Sequence, residues 1–184
     1  MADELWCWRH PRAQGAEGRC IGRTDLPVHR RRAKRAAHRV RAALRHAGLA
    51  RQVRAVWTSP RARCLSVARW LARWGFAVHV DARLAEMDFG RWDGRPWSEI
   101  AFEEVEAWRL GWRDHAPGGG ESLAQVAARA AAFAAEGTGL RLVLTHGGWI
   151  NALLHGAPAD ARAWPPALAP GQRVVWRRAD AHSG

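Results

Sequence analysis

Apolar residues occur along this chain in two patterns, short unbroken runs and longer stretches with helical spacing. Short apolar runs predict buried β-strands at residues 5–8, 55–58, 77–80 and 140–144. Stretches with apolar residues at i, i+3, i+4 and i+7 predict amphipathic helices at residues 30–47, 62–74, 97–110 and 122–136, with another after residue 148. Beyond Pro158 the pattern predicts a loop and then a strand at residues 174–176.

The order of these elements predicts an α/β fold with a mostly parallel sheet, because strands and helices alternate along the chain. A length of 184 residues predicts a single domain over residues 1–184. Within that domain we expect a small helical cap at about residues 92–120, which includes the predicted helix at 97–110.

Polar side chains follow three of the predicted strands. Arg9 and His10 follow the first strand, Ser59 follows the second, and His146 follows the fourth. Ligands of parallel α/β sheets bind at the carboxyl ends of the strands, where side chains that are distant in sequence meet. We therefore expect these side chains to converge on one functional site.

Two imidazoles and nearby guanidinium groups at one sheet edge suit a tetrahedral phosphoryl dianion. Arginine presents forked donors to phosphate oxygens, and a neutral imidazole can attack as a nucleophile and form a covalent intermediate. Phosphoryl transfer also needs an acid for the leaving oxygen. Glu86, which comes just after the third predicted strand, is the candidate for that acid.

The charge of the chain suggests a second class of partner. Lys and Arg total 29 against 17 Asp and Glu, a net charge of +12, which invites a nucleic-acid interpretation. All of the excess lies in residues 26–80, which hold 14 Lys and Arg and no carboxylate, while the remainder has a net charge of −2. Only one cation is a lysine, and 12 Trp stand beside no Tyr, a composition typical of codon bias. We therefore favour a solvated arginine-rich helix over a nucleic-acid site.

Cysteine usage and hydropathy bear on the compartment. Cys7, Cys20 and Cys64 include no CxxC pair, which argues against a disulfide framework or a thiolate zinc site. No apolar run approaches the ~18 residues of a membrane span, and the acidic start of the chain does not resemble a secretory signal. We expect a cytoplasmic protein with no membrane partner.

Four blocks, in order, resemble the signatures of the histidine phosphatase superfamily, the phosphoglycerate-mutase-like phosphatases. They are the strand with its Arg-His pair at residues 5–10, the Ser-Pro-x-x-Arg block at 58–64, the acid loop LAEMDFGRWDG at 84–94, and Leu-Thr-His-Gly-Gly at 144–148. Together they span residues 5 to about 154. The resemblance implies a three-layer αβα sandwich and a small-molecule phosphomonoester as the substrate.

The resemblance also implies a role for each matching residue. His10 would be the nucleophile that becomes phosphohistidine, and Glu86 would protonate the leaving alkoxide and later activate water. Arg9, Arg63 and His146 would stabilise the phosphoryl group. No metal and no cofactor are implied, and the protein would be a monomer or a homodimer.

A finer resemblance joins residues 18–27 and 87–94 to the α-ribazole phosphatase branch, which hydrolyses α-ribazole 5′-phosphate in cobalamin synthesis. Further residues are expected to contact the substrate, namely Arg12, Gly22, Thr24, Trp92 and Gly147. The choice of Arg63 over Arg61 for the phosphate rests on the spacing from the Ser-Pro pair.

One departure from the family pattern concerns the residue after the nucleophile, where Pro11 replaces the usual glycine. Proline has no N–H, so it cannot donate to phosphate, but its carbonyl can still orient the ring of His10. Within the family, a broad-specificity phosphatase or a phosphoglycerate mutase-type enzyme stays open as an alternative, although 184 residues leave little room for the insertions of the mutases. Outside it, the alternatives are a basic nucleic-acid binder and an inactive phospho-ligand-binding protein.

Overall fold

The computed structural model describes residues 3–178 and contains a five-stranded sheet. Its strands are β1 (Glu4–Arg9), β2 (Ala55–Thr58), β3 (Ala77–Val80), β4 (Leu140–Thr145) and β5 (Arg173–Arg177). The strand order is β3-β2-β4-β1-β5, in which β5 pairs antiparallel with β1 and the other neighbours are parallel. The predicted mostly parallel sheet is confirmed. The predicted domain also covers residues 1–2 and 179–184, which lie outside the described residues.

Five α-helices accompany the sheet within residues 3–178. They are α1 (Arg30–His46), α2 (Ala62–Ala72), α3 (Phe102–Leu110), α4 (Leu123–Ala135) and α5 (Gly147–His155). The start of α4 is a capping box in which the side chains of Ser122 and Gln125 each accept from the other's backbone N–H. Within residues 3–178, no helix combines the length and the hydropathy that crossing a membrane requires.

The sheet lies between two helical layers because its strand residues alternate in direction. In β1, Trp6 and Trp8 belong to the core shared with α1 and α2, whereas Leu5 and Cys7 belong to the core shared with α4 and α5. Both faces of the sheet are therefore covered by apolar side chains, as a parallel sheet requires. This arrangement is the predicted three-layer αβα sandwich.

The prediction of a helix at residues 97–110 is wrong for its first turn, which is not α-helical. Residues Trp97–Glu99 form a 3₁₀ turn, and α3 begins only at Phe102. Between them, Ile100 is buried beside Cys20 in an extended conformation (ψ 129°), which directs the chain away from a helix. Tertiary packing of one apolar residue therefore overrides the helical spacing at this point.

Candidate active site

The predicted convergence of polar residues follows from the strand order, since β1, β4 and β2 are neighbours in the sheet. The backbone N–H of His10 donates to the Thr145 carbonyl over 3.0 Å, and that of Ser59 donates to the Leu144 carbonyl over 3.0 Å. The residues that follow β1 and β2 are thus fixed to the end of β4 by backbone hydrogen bonds. The rings of His10 and His146 lie 5.0 Å apart at an interplanar angle of 62°.

His10 is held in one tautomer by the proline that follows it. Its Nδ1–H donates to the Pro11 carbonyl over 2.7 Å, so Nε2 carries the lone pair. Burial lowers the pKa of His10 to about 3, and the positive charges of Arg63 and Arg9 act in the same direction. The imidazole is therefore neutral near pH 7, the form in which Nε2 is a nucleophile. The proline substitution preserves the hydrogen bond that orients this ring.

Arg63 lies beside the histidines with only 1% of its surface exposed. Its Nη1 donates to the Thr24 carbonyl over 2.8 Å, and its Nη2 donates to the Gly22 carbonyl over 2.6 Å. Gly22 and Thr24, which were predicted to contact substrate, thus hold the guanidinium through their backbone. Arg61 points elsewhere and donates to the carbonyl of Arg23. The geometry favours Arg63 over Arg61 as the arginine of this site.

His146 is fully buried behind His10. Its Nδ1 accepts from Arg63 Nε over 3.1 Å, so its Nε2–H donates to the Ser59 hydroxyl over 2.7 Å. Burial, with Arg63 adding its charge, lowers the pKa of His146 well below the ordinary value. Both ring nitrogens are engaged by protein groups, and its contact with phosphate stays a prediction. Ser59 thus contacts His146, as the polar cluster after β2 predicted, although the sequence assigned it no role in the chemistry.

Arg9 lies between the end of β1 and the start of α5. Its Nη1 donates to the Leu168 carbonyl over 2.5 Å, while its buried Nε has no partner among the described residues. A Cβ added at Gly147 would lie 3.2 Å from this guanidinium and 2.9 Å from the side chain of Ala167. Gly147 therefore makes room for Arg9, and its own contact with substrate stays a prediction.

The carboxylate of Glu86 lies at the N-terminus of α5. It accepts from the backbone N–H groups of Gly148 and Trp149, each over 3.2 Å. Helix N-termini favour such anions. A Cβ at Gly148 would come within 2.5 Å of Glu86 Oε1, so the close approach depends on glycine at that position.

Arg129 on α4 fixes the loop that carries Glu86, and the sequence analysis missed it. Its guanidinium donates to the carbonyls of Arg83 and Ala85, each over 2.6 Å, and to that of Glu86 over 3.1 Å. It also pairs with the Glu121 carboxylate at 2.7 Å. The available signal was a lone cation within an alanine-rich helix that is otherwise apolar near this position.

A cavity of about 390 Å³ opens beside these groups, and it is lined by Arg9, His10, Arg63 and Glu86. Its remaining walls are mainly apolar, and the aromatic ones are Phe89, Trp97, Trp108, Trp112 and Trp164. The rings of Trp97 and Trp108 are stacked at an interplanar angle of 6°. The cavity therefore joins a cationic phosphate end to an aromatic end, which suits a phosphoester with a planar, apolar leaving group.

None of the five predicted substrate contacts is among the described residues that line this cavity. Trp92 is fully buried, packs against Cys20, and donates from Nε1 to Glu104 over 2.7 Å. It does not line the cavity because its indole is consumed in packing beneath the loop, and its contact with substrate stays a prediction. Arg12 is exposed, lies 3.9 Å from Glu17, and borders a different cleft.

Asp93 was also missed, and it closes the loop that holds Arg63. Its Oδ1 accepts from the backbone N–H of Thr24 over 2.9 Å and from the Thr24 hydroxyl over 2.5 Å. The same oxygen accepts from the N–H of Gly22 over 3.3 Å.

Within residues 3–178, no three His, Cys, Asp or Glu side chains are grouped as a metal ion would require.

Comparison with known proteins agrees with this architecture. The family model of the histidine phosphatase superfamily (branch 1) matches residues 5–170, so the chain belongs to that superfamily.

Particular relatives were found by sequence and by structure. Glucosyl-3-phosphoglycerate phosphatase of Mycobacterium tuberculosis is 43% identical over 67 residues, which are 35% of this chain and 30% of the relative. The chain thus matches less than a third of that relative's length. YhfR of Bacillus stearothermophilus superposes with a TM-score of 0.74 at 26% identity, covering 94% of this chain and 89% of that one. The α-ribazole phosphatase of Shigella flexneri, at 24% identity, shares the fold with a TM-score of 0.73 over 94% and 89% of the two chains.

Proposed function

We propose that this protein hydrolyses phosphomonoesters through a phosphohistidine intermediate on His10. The observation that carries the proposal is the hydrogen bond from His10 Nδ1 to the Pro11 carbonyl. It leaves Nε2 unprotonated on a residue that lines the cavity beside Arg9 and Arg63. Membership of the superfamily supports phosphatase chemistry at this site.

In the proposed first step, the lone pair of His10 Nε2 attacks phosphorus and forms the N–P bond. The bond from phosphorus to the leaving oxygen breaks, and that oxygen takes a proton from the carboxyl group of Glu86. In the second step the carboxylate takes a proton from water, whose oxygen attacks phosphorus. The N–P bond then breaks and releases phosphate and neutral His10. Arg9 and Arg63 supply the positive charge for the phosphoryl oxygens, so the proposal needs no metal.

Trapping the intermediate tests the mechanism. We expect quenching in alkaline detergent during turnover of a ³²P-labelled phosphomonoester to leave label that is base-stable and acid-labile on the wild-type protein. His10→Ala should lose both this label and turnover, by about 10⁴-fold or more in kcat. The exposed His155→Ala is the matched control and should retain both. Turnover without labelled histidine in the wild type would contradict the mechanism.

For the substrate, we propose α-ribazole 5′-phosphate, whose benzimidazole base is planar and apolar. The aromatic end of the cavity supports this choice, as does the resemblance of residues 18–27 and 87–94 to that branch. In the described part of the chain, Arg19 is the only cation that lines the cavity besides Arg9 and Arg63. This lining offers little for the carboxylate of a phosphoglycerate.

A comparison of leaving groups tests the substrate. We expect kcat/KM for α-ribazole 5′-phosphate to exceed that for 3-phosphoglycerate and glucose 6-phosphate by at least tenfold, as aromatic burial of about 1.4 kcal/mol would give. A preference for phosphoglycerate would overturn the choice of substrate and leave the phosphohistidine mechanism standing. Transfer of phosphate between the hydroxyls of phosphoglycerate would instead identify a mutase.

A further inference from the structure

A second, cationic cleft lies beside the catalytic residues and runs along α1. We call it the arginine groove, and its charged members are Arg12, Arg32, Arg35 and Arg39. It has a volume of about 320 Å³, and its other lining residues are Pro11, Ala36, Pro170 and Gly171. A neighbouring cleft shares Arg12 and Arg32 with it and reaches Arg9 and His10. The groove therefore begins next to the phosphate end of the active site.

One wall of the groove is a face of α1, and the other is the turn at Gly171. Arg32, Arg35 and Arg39 are spaced i, i+3 and i+7, so they lie on one face of α1 over about 10 Å. The opposite wall is the turn at Gly171, whose N–H donates to the Arg9 carbonyl over 3.1 Å. A Cβ at Gly171 would lie 3.3 Å from Arg39 Nη1, so the two walls meet closely there.

The arginines of the groove lack compensating carboxylates. Among residues 3–178, Arg32, Arg35 and Arg39 form no ion pair within 4.0 Å, and Arg12 has only the exposed Glu17 at 3.9 Å. Like charges at i, i+3 and i, i+4 oppose helix formation by roughly 0.2–0.5 kcal/mol per pair. Cations in the first turn of α1 also oppose its macrodipole. A bound anion would relieve both effects.

We propose that the arginine groove binds a linear chain of phosphoryl groups, that is, a polyphosphate anion. Guanidinium groups bind phosphate oxygens through forked hydrogen bonds, and a row of them suits phosphates in series. Single-stranded nucleic acids also need aromatic faces for their bases. None of the described residues that line the groove is aromatic, so the lining favours a polyphosphate over a nucleic acid. This inference does not depend on hydrolysis at His10.

The dependence of affinity on phosphate chain length tests the proposal. Binding of orthophosphate, pyrophosphate and tripolyphosphate to the full-length protein would be measured by calorimetry at fixed ionic strength. The groove variant is R32Q/R35Q/R39Q, and the matched control is R31Q/R51Q/R69Q, which removes the same charge from exposed positions outside the groove. Circular dichroism would verify that both variants are folded, and hydrolysis of p-nitrophenyl phosphate should stay within twofold of wild type in both.

We expect wild type and control to bind tripolyphosphate at least tenfold more tightly than orthophosphate. The groove variant should lose that gain and keep its affinity for orthophosphate, which the active site also binds. An equal loss of tripolyphosphate affinity in both variants would show that net charge alone determines binding. An unchanged preference for tripolyphosphate in the groove variant would show that the groove does not bind it. Either result would overturn the proposal. So would loss of oligonucleotide binding, but not tripolyphosphate binding, in the groove variant.

Discussion

The two ends of the catalytic cavity are built in different ways. At the phosphate end, His10 and Ser59 directly follow strands and are fixed by backbone hydrogen bonds to β4. At the aromatic end, the walls come from 3₁₀ turns, α3 and the segment around Trp164, and their side chains are held by ring packing. The phosphate end is therefore determined by residues that directly follow the strands. The aromatic end is determined by tertiary contacts between side chains of segments that are distant in sequence.

This difference separates chemistry from selectivity. Under the proposed function, the phosphate end would contact the group that all phosphomonoesters share, so changes there should affect every substrate alike. The aromatic end would contact only the leaving group, so changes there should alter the ratio between substrates. Glu86 lies between the two ends and should affect both the rate and its dependence on the leaving group.

After His10→Ala, the largest effect is expected from Glu86→Gln. Glutamine keeps the size of the side chain, and its carbonyl oxygen can replace one of the two carboxylate oxygens that accept from the N–H groups of Gly148 and Trp149. It supplies no acid for the leaving oxygen, so we expect kcat for alkyl phosphates to fall about 10²–10⁴-fold in steady-state assays.

The leaving group distinguishes the role of the acid from a structural one. The phenolate of p-nitrophenyl phosphate departs without a proton, so Glu86→Gln should release about one equivalent of p-nitrophenol in a burst. Turnover should then slow, because no carboxylate activates water for the phosphohistidine. Equal losses in the burst rate and in the alkyl phosphate rate would show that Glu86 does not act as the acid.

Arg63→Lys should produce a smaller loss that is uniform across substrates. A lysine ammonium cannot reproduce the planar fork that reaches His146, Gly22 and Thr24 together. We expect kcat/KM to fall roughly 100-fold for aromatic and small leaving groups alike, and the free energy of unfolding to fall by about 1–3 kcal/mol in urea denaturation. Arg61 is half-buried and does not line the cavity, so Arg61→Lys should change neither quantity appreciably. A loss confined to aromatic substrates would contradict the assignment of Arg63 to the phosphate end.

Sequence patterns anticipated the phosphate end far better than the aromatic end. His10 and His146 could be predicted because strand ends in a parallel sheet meet at one edge, so local pattern carried the information. Trp92 and Trp108 both fall within the cap predicted at about residues 92–120, yet only Trp108 lines the cavity. The indole of Trp92 is buried because it packs against Cys20 and Ile100. The spacing of apolar residues near Trp92 does not predict this tertiary contact. Trp164 lies beyond Pro158, where the pattern predicted only a loop.

The buried histidines of the phosphate end should make stability depend on pH. The folded protein keeps His10 and His146 neutral, because burial lowers both pKa values, to about 3 for His10. The unfolded chain protonates them near pH 6.5, so their stabilising contribution is complete above pH 6.5 and is lost as the pH falls toward 3. We expect the free energy of unfolding to fall by about 1.5 kcal/mol between pH 7.5 and pH 6 from these two groups.

Urea denaturation of wild type and His10→Gln at both pH values measures this contribution. The variant keeps only His146, so about half of the pH-dependent loss should remain. An identical pH dependence in the two proteins would show that His10 does not stay neutral in the folded state.

The smallest expected effect is at the aromatic end, from Trp97→Ala. Trp97 is 40% exposed, so its removal should disturb the fold little, but its ring stacks on Trp108 at the cavity wall. An aromatic contact of about 1 kcal/mol corresponds to a roughly fivefold loss in kcat/KM for α-ribazole 5′-phosphate. The loss should appear in KM, because the phosphate end stays intact.

Phe102→Ala is the control, because it removes a more exposed ring that does not line the cavity. It should leave kcat/KM for α-ribazole 5′-phosphate unchanged. For 3-phosphoglycerate, Trp97→Ala should stay within twofold of wild type. A uniform loss for both substrates would mean that the two ends are coupled, and the division between chemistry and selectivity would then fail.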